Sequence, residues 1–204
     1  MKHLILILTF ITIGIGSAQA QSLDALLKGL GNIFGSSTEQ AEKVEATKPT
    51  YTAERDLVNK WVFQQLEMEY SGNDPLAAIA IASAQQQLST LASKAGLTPG
   101  KDFLKIKSDG TVTFVSGDRK ESGTYTYIPP TGMLVITFTI NGETIRVSAT
   151  ATSKDGKLYL MFKANELIAI ALQSNPQLKE ESLFAIAQTL SETYPGITIG
   201  ASFK

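Results

Sequence analysis

The sequence predicts a mainly β protein in which eight antiparallel strands form a closed up-and-down barrel with inserted helices. Short segments of alternating apolar and polar residues are typical of strands with one buried and one exposed face. The dipeptides Asp109-Gly110 and Asn141-Gly142 are strong signals for two-residue hairpin turns between antiparallel neighbours. The first and last strands would each leave an exposed edge unless they pair with each other. A partly open sheet wrapped around the helices is the alternative architecture.

The alternation sets the bounds and the inner face of each strand. The predicted strands cover residues 61–70, 103–107, 111–116, 123–128, 133–140, 144–152, 157–163 and 197–203. Three consecutive strands place their apolar residues on one side: Leu134, Ile136, Phe138 and Ile140; Ile145, Val147, Ala149 and Ala151; Leu158, Leu160 and Phe162. Threonine, serine and charged residues occupy most of the opposite positions, so one face is buried and the other is solvated.

One helix is predicted between the first two strands and two more before the last strand. Asn73-Asp74 can cap the first helix and Pro75 suits its first turn, so this helix covers residues 76–94. Its expected apolar stripe consists of Leu76, Ile79, Ala80, Ala84, Leu88, Leu91 and Ala95. The other two helices cover residues 165–173 and 176–194, and Pro195-Gly196 ends the second.

The amino terminus has the pattern of a secretory signal peptide. Lys2 precedes an apolar run over residues 4–15, and Ala18-Gln19-Ala20 has the small residues of a cleavage site. We therefore expect cleavage after Ala20 and export to the periplasm or the medium. No later apolar run approaches the roughly 20 residues of a membrane helix, so no span is expected after cleavage. The chain has no cysteine that could carry a lipid anchor.

Residues 21–52 are expected to form an amphipathic leader helix and a polar linker, ahead of a barrel domain over residues 53–204. The apolar residues of the leader fall at helical spacing: Leu23, Leu26, Leu27, Leu30, Ile33 and Phe34. Its glycines, Gly29, Gly31 and Gly35, lack the preceding strand that a phosphate-binding loop requires. The sequence therefore gives no support for a nucleotide site.

Charge and composition argue against several functional classes. The chain has 18 Lys and Arg against 19 Asp and Glu, without the basic sequence cluster that is typical of nucleic-acid binding. His3, the only histidine, lies in the predicted signal peptide, so acid–base catalysis near neutral pH would lack its usual side chain. Glu67 and Glu69 lie two apart on one strand, where carboxylates are usually solvated. We expect no enzyme activity, no metal, no cofactor and no nucleic-acid partner.

Four short motifs resemble one family. They are Leu57-Val58-Asn59-Lys60-Trp61, Asp109-Gly110-Thr111, Gly123-Thr124-Tyr125 and Tyr194-Pro195-Gly196-Ile197-Thr198-Ile199-Gly200. These motifs and the layout of the chain resemble the lipocalin-like domain of unknown function in exported proteins of Gram-negative gut bacteria. The resemblance implies a lipocalin-like barrel and, as in lipocalin-type barrels generally, a small apolar ligand. It transfers no catalytic residue, because the family has no established activity.

The candidate ligand site combines inward-facing aromatic residues with a helical lid. Trp61, Phe63, Phe138 and Phe162 are the candidate interior residues, although Trp61 and Phe63 also suit a packed core. Ala80 and Ala84 would give the helix over 76–94 a small, smooth inner stripe, as a lid requires. The alternative is an envelope interaction module with a fully packed barrel, whose leader helix docks a protein partner. An apolar pocket of roughly 300 Å³ or more would favour the ligand carrier.

Overall fold

The computed structural model describes residues 52–94, 96–140, 143–174, 188 and 191–204. The strands are β1 (Asn59–Tyr70), β2 (Phe103–Ile106), β3 (Thr111–Ser116), β4 (Arg119–Ile128), β5 (Met133–Ile140), β6 (Glu143–Lys154), β7 (Lys157–Lys163) and β8 (Ile197–Phe203). The helices are α1 (Glu54–Leu57), α2 (Pro75–Lys94) and α3 (Ala164–Ser174), with a 3-10 turn at Pro129–Thr131. The predicted signal peptide, almost all of the leader and most of the predicted helix over 176–194 lie outside the described residues.

The eight strands form one closed antiparallel barrel, which confirms the predicted architecture over the open sheet. β1 closes it by pairing with two strands: its first part pairs with β2, where Asn59 lies opposite Ile106, and its second part pairs with β8. We call the end of the barrel near Asn59 the lower end. The upper end is marked by Tyr70, which lies opposite Ile197. Because the barrel is closed, every strand has a neighbouring strand on both sides.

Most strand bounds follow the sequence pattern. β5 and β7 have the predicted bounds, and Ile140 pairs with Glu143 across the predicted Asn141-Gly142 turn. The prediction for β4 was wrong at its start, since the strand begins at Arg119 rather than at residue 123. The added residues, Arg119 to Ser122, pair with β3. Their polar and charged side chains conceal a strand from an analysis based on apolar alternation.

The barrel interior holds one continuous apolar core. Its buried members include Phe63, Ile106, Val112, Leu134 and Leu158, each less than 3% exposed. An irregularity between Phe63 and Gln65 shifts the pairing of β1 with β8, as an inserted strand residue does. Trp61 and Phe63 face the core below this point, and Leu66 joins the core above it.

The chain segment before β1 closes the lower end. Leu57, the last residue of α1, is completely buried within the core. The Trp61 indole donates a hydrogen bond to the Leu57 carbonyl (2.8 Å), and the Tyr127 hydroxyl donates one to the Thr52 carbonyl. Buried aromatic residues with polar tips need such partners. Leu57 therefore fills the lower end, and the two hydrogen bonds hold the segment before β1 against the barrel.

Helix α2 packs against the upper part of β1, which has no β2 residue beside it. The Met68 amide donates to the Gln85 side-chain oxygen (2.8 Å), and the Gln85 amide nitrogen donates to the Leu66 carbonyl (3.1 Å). One glutamine thus satisfies two strand groups that a neighbouring strand would otherwise pair.

The expected stripe of α2 was wrong at Ile79, which is 45% exposed, and was confirmed at Leu88, which is buried. Among the side chains of this helix that the structure describes, the other buried ones are Ala77, Ile81 and Ala92. Because α2 is rich in alanine and isoleucine around much of its circumference, apolar spacing alone did not fix its buried face. Among the described residues, no helix combines the length and apolar character needed to cross a membrane.

Candidate functional site

An apolar cavity of about 70 Å³ lies inside the barrel, from the level of Leu104 and Phe203 towards the upper end. All twelve residues that line it are apolar: Leu104, Phe114, Ile136, Phe138, Val147, Leu160, Phe162, Leu167, Ile199, Gly200, Ala201 and Phe203. Leu167 belongs to α3, and the others belong to six strands. Phe162 and Ile199, which lie opposite each other near the upper end, are only partly buried. The cavity therefore approaches the surface at this end.

Small residues on β8 make space for the cavity. Ala201 is only 4% exposed and faces the core, where a larger side chain would fill the space. Gly200 permits the close approach of β7, since a Cβ atom there would lie 1.9 Å from the Leu160 carbonyl oxygen. That separation is too short for any side-chain carbon, so β8 requires glycine at this position.

The structure brings only some of the predicted site residues together. Phe138 and Phe162 both line the cavity. Trp61 and Phe63 belong to the core but do not line the cavity. They lie opposite two residues that do, Leu104 and Phe203, and the Phe63 ring meets the Phe203 ring edge to face, with centroids 6.0 Å apart.

The two predicted lid residues, Ala80 and Ala84, belong to α2. Their side chains lie outside the described part of the chain, so the prediction of a lid stays a prediction. Sequence reasoning missed Leu167 of α3 as a lining residue. It also gave β8 only a closing role, although the alternation of Ile199, Ala201 and Phe203 was visible in the sequence.

The cavity can accept an apolar group and nothing larger than a fragment. Its 70 Å³ falls below the roughly 300–1,000 Å³ of pockets that hold drug-sized ligands. It is also about half of the roughly 150 Å³ of an engineered cavity that binds benzene. Because its lining side chains carry no hydrogen-bonding group, a polar headgroup inside would lose its water without compensation.

The acidic side chains of the described residues do not form a metal centre. No three His, Cys, Asp or Glu side chains of the described residues lie close enough to hold a metal ion. Glu67 accepts hydrogen bonds from the Gln65 and Gln85 side chains (2.9 and 3.4 Å).

Asp102 is a buried carboxylate with a structural role. It is 2% exposed and accepts hydrogen bonds from the Thr98 amide (2.7 Å), the Ser116 hydroxyl (2.8 Å) and the Gly117 amide (3.2 Å). These bonds tie the segment before β2 to the end of β3 and the β3–β4 turn.

The comparison with protein families gives one finding. A family model described as a lipocalin-like domain (DUF4923) matches residues 30–204. The match begins within the predicted leader and reaches the last residue. No curated protein and no solved structure matches the chain significantly.

Proposed function

The chain belongs to the lipocalin-like domain family (DUF4923), and on that premise we propose that its barrel binds the apolar end of a small molecule. The observation that carries this proposal is the apolar cavity inside the barrel, which approaches the surface beside Phe162 and Ile199. Its volume limits the inserted part to a small group, such as the tip of an acyl chain. The polar remainder of the ligand would lie outside the upper end.

We also propose that the protein is exported and that it binds its ligand without catalysing a reaction. The signal-peptide pattern of residues 1–20 supports export to the periplasm or the medium. None of the described residues that line the cavity carries an acid, base or nucleophile, and this supports binding rather than catalysis.

A second candidate is an interaction module of the cell envelope. The small cavity and the tightly packed lower half favour it, because a large ligand would need more space. For this second candidate, we propose that the leader over residues 21–52 docks a protein partner through its apolar stripe. The two candidates differ in what the barrel interior does, so a change inside the cavity separates them.

The test uses a naturally fluorescent polyene fatty acid and the variant Ala201→Leu. We expect the fluorescence of the fatty acid to increase when it binds the wild type. Leucine at position 201 would occupy the cavity, so the variant should not show this increase. The matched control is Ala82→Leu, which makes the same change at an exposed position of α2 and should leave binding unchanged. If the wild type does not bind the fatty acid at micromolar concentrations, the carrier is excluded in favour of the interaction module.

A further inference from the structure

Five lysines from four separate segments of the sequence come together on the outside of the barrel. Lys60, Lys105, Lys154 and Lys157 lie in the lower parts of β1, β2, β6 and β7, and Lys204 directly follows β8. Their side chains point outward, because each lies an odd number of positions from a residue that faces the core along the same strand: Trp61, Leu104, Ala151, Leu158 and Phe203 respectively. We call these five residues the lysine face.

The strand register places these lysines directly beside each other. Lys60 lies opposite Lys105, and Lys154 lies opposite Lys157. Lys204 exchanges two backbone hydrogen bonds with Val62 (2.7 and 2.8 Å), and the adjacent Leu158–Phe203 pair brings it beside Lys157. Like charges directly opposite each other destabilise a sheet. The fold therefore carries two unfavourable cross-strand pairs on one face.

No side-chain carboxylate of the described residues forms an ion pair with the lysine face. The ion pairs among the described residues join Arg55 to Asp56 and Lys163 to Glu166, and neither includes a lysine of this face. Asp155 lies in the turn between Lys154 and Lys157 but forms no ion pair with either. The chain as a whole has a net charge of −1. The face is thus a local concentration of charge rather than a result of basic composition.

Apolar side chains lie among the lysines. Val62 and Phe103 are directly opposite each other on the outer surface and are only partly buried. The Lys60 ammonium lies 4.1 Å from the centre of the Phe103 ring. Lysines whose stems cover apolar surface while their ammonium groups reach outward are typical of segments that contact a membrane interface.

We propose that the lysine face binds anionic lipid headgroups at a membrane surface. Lysines near such a surface gain energy from its negative potential, and phosphate groups would also relieve the repulsion within the two lysine pairs. The exposed edges of Val62 and Phe103 favour a lipid surface over a soluble polyanion, because a polyanion would contact the ammonium groups alone. This proposal does not depend on a ligand in the cavity.

The test measures cosedimentation of the full chain with vesicles of phosphatidylcholine alone or mixed with phosphatidylglycerol. Binding to the neutral vesicles reports the contribution of apolar segments, including residues 1–20. We expect stronger binding to the anionic vesicles, and we expect high salt to abolish the difference.

The variant Lys105→Glu separates binding from folding. It should reduce the binding to anionic vesicles by about tenfold, because it reverses one charge of the face. It should also raise the melting temperature, because Glu at position 105 would face Lys60 as an opposite charge. The control Arg146→Glu reverses an exposed charge near the upper end of β6 and should leave the binding unchanged.

Three results would overturn the proposal. The first is equal binding of the wild type to neutral and anionic vesicles. The second is an equal loss of binding in Lys105→Glu and Arg146→Glu, which would place the interaction elsewhere. The third is binding of heparin without binding of the anionic vesicles, which would assign the face to a soluble polyanion.

Discussion

The two halves of the barrel interior differ in how their aromatic residues are used. In the lower half, Trp61, Tyr125 and Tyr127 each donate a hydrogen bond to a backbone carbonyl, of Leu57, Lys107 and Thr52 respectively. In the other part, around the cavity, the aromatic residues are all phenylalanine: Phe114, Phe138, Phe162 and Phe203. A buried polar tip needs a partner, and these three backbone carbonyls provide it. The barrel interior thus combines a hydrogen-bonded lower end with an apolar cavity.

The largest difference between the halves should appear when an aromatic side chain is removed from each. Phe63 is completely buried in the lower core, so Phe63→Ala should cost about 3–5 kcal/mol. Phe162 is partly exposed beside the cavity, so Phe162→Ala should cost less than about 2 kcal/mol. Urea unfolding of both variants measures the two free energies. Equal costs would show that the halves are packed alike.

A smaller difference is expected when a side chain is enlarged in each half. Ala151 is completely buried outside the cavity, so Ala151→Leu should cost about 1–3 kcal/mol through overpacking. Ala201→Leu adds the same atoms where free volume exists, so its unfolding free energy should stay within about 1 kcal/mol of the wild type. Urea unfolding compares the two variants through their midpoint concentrations, provided that both unfold with the m-value of the wild type. A larger cost for Ala201→Leu than for Ala151→Leu would contradict the assignment of free space to β8.

The sequence predicted the barrel better than the site because the two depend on different kinds of information. Alternation and turn residues are local, so β5, β7 and the β2–β3 hairpin could be predicted from a few neighbouring residues. The predicted two-residue turn of this hairpin was wrong in length, because the Lys107 amide donates to the Thr111 carbonyl and leaves three residues, Ser108 to Gly110, in the loop. The pairing of β1 with β8 followed from the need to close two edges. Phe138 and Phe162 could be placed inside because their strands alternate without interruption.

The features that the sequence concealed all depend on packing between distant segments. The irregularity after Phe63 changes which residues of β1 face the core, and no local signal marks it. The face of α2 depends on Gln85 reaching the backbone of β1, whereas alanine-rich spacing fits several faces. The cavity exists because small residues on β8 meet side chains from five other strands and α3. The lysine face likewise follows only from the register of five strands.

The polar tethers of the lower half should each contribute a moderate amount. Tyr127→Phe removes the hydrogen bond to the Thr52 carbonyl and should cost about 0.5–1.5 kcal/mol in unfolding free energy. Tyr159→Phe is the matched control, since the Tyr159 hydroxyl makes no hydrogen bond with the described residues. We expect the control to change stability by less than about 0.5 kcal/mol. Similar effects of both variants would mean that the tether to Thr52 does not stabilise the lower end.

The smallest expected effect is that the ionisation of Tyr125, in the lower half, makes the stability of the protein depend on pH in the alkaline range. Burial raises the pKa of Tyr125 above its usual value of 10.0, with smaller contributions from the charges of Glu54 and Asp109. The unfolded chain therefore loses this proton at a lower pH than the folded chain. The contribution of Tyr125 to stability is fully present below about pH 10 and decreases as the pH rises through the higher pKa of the folded state. Urea unfolding of the wild type and Tyr125→Phe across this range isolates the effect, because all other groups titrate in both proteins. The stability advantage of the wild type over the variant should shrink above pH 10, and a constant difference would show that Tyr125 ionises equally in both states.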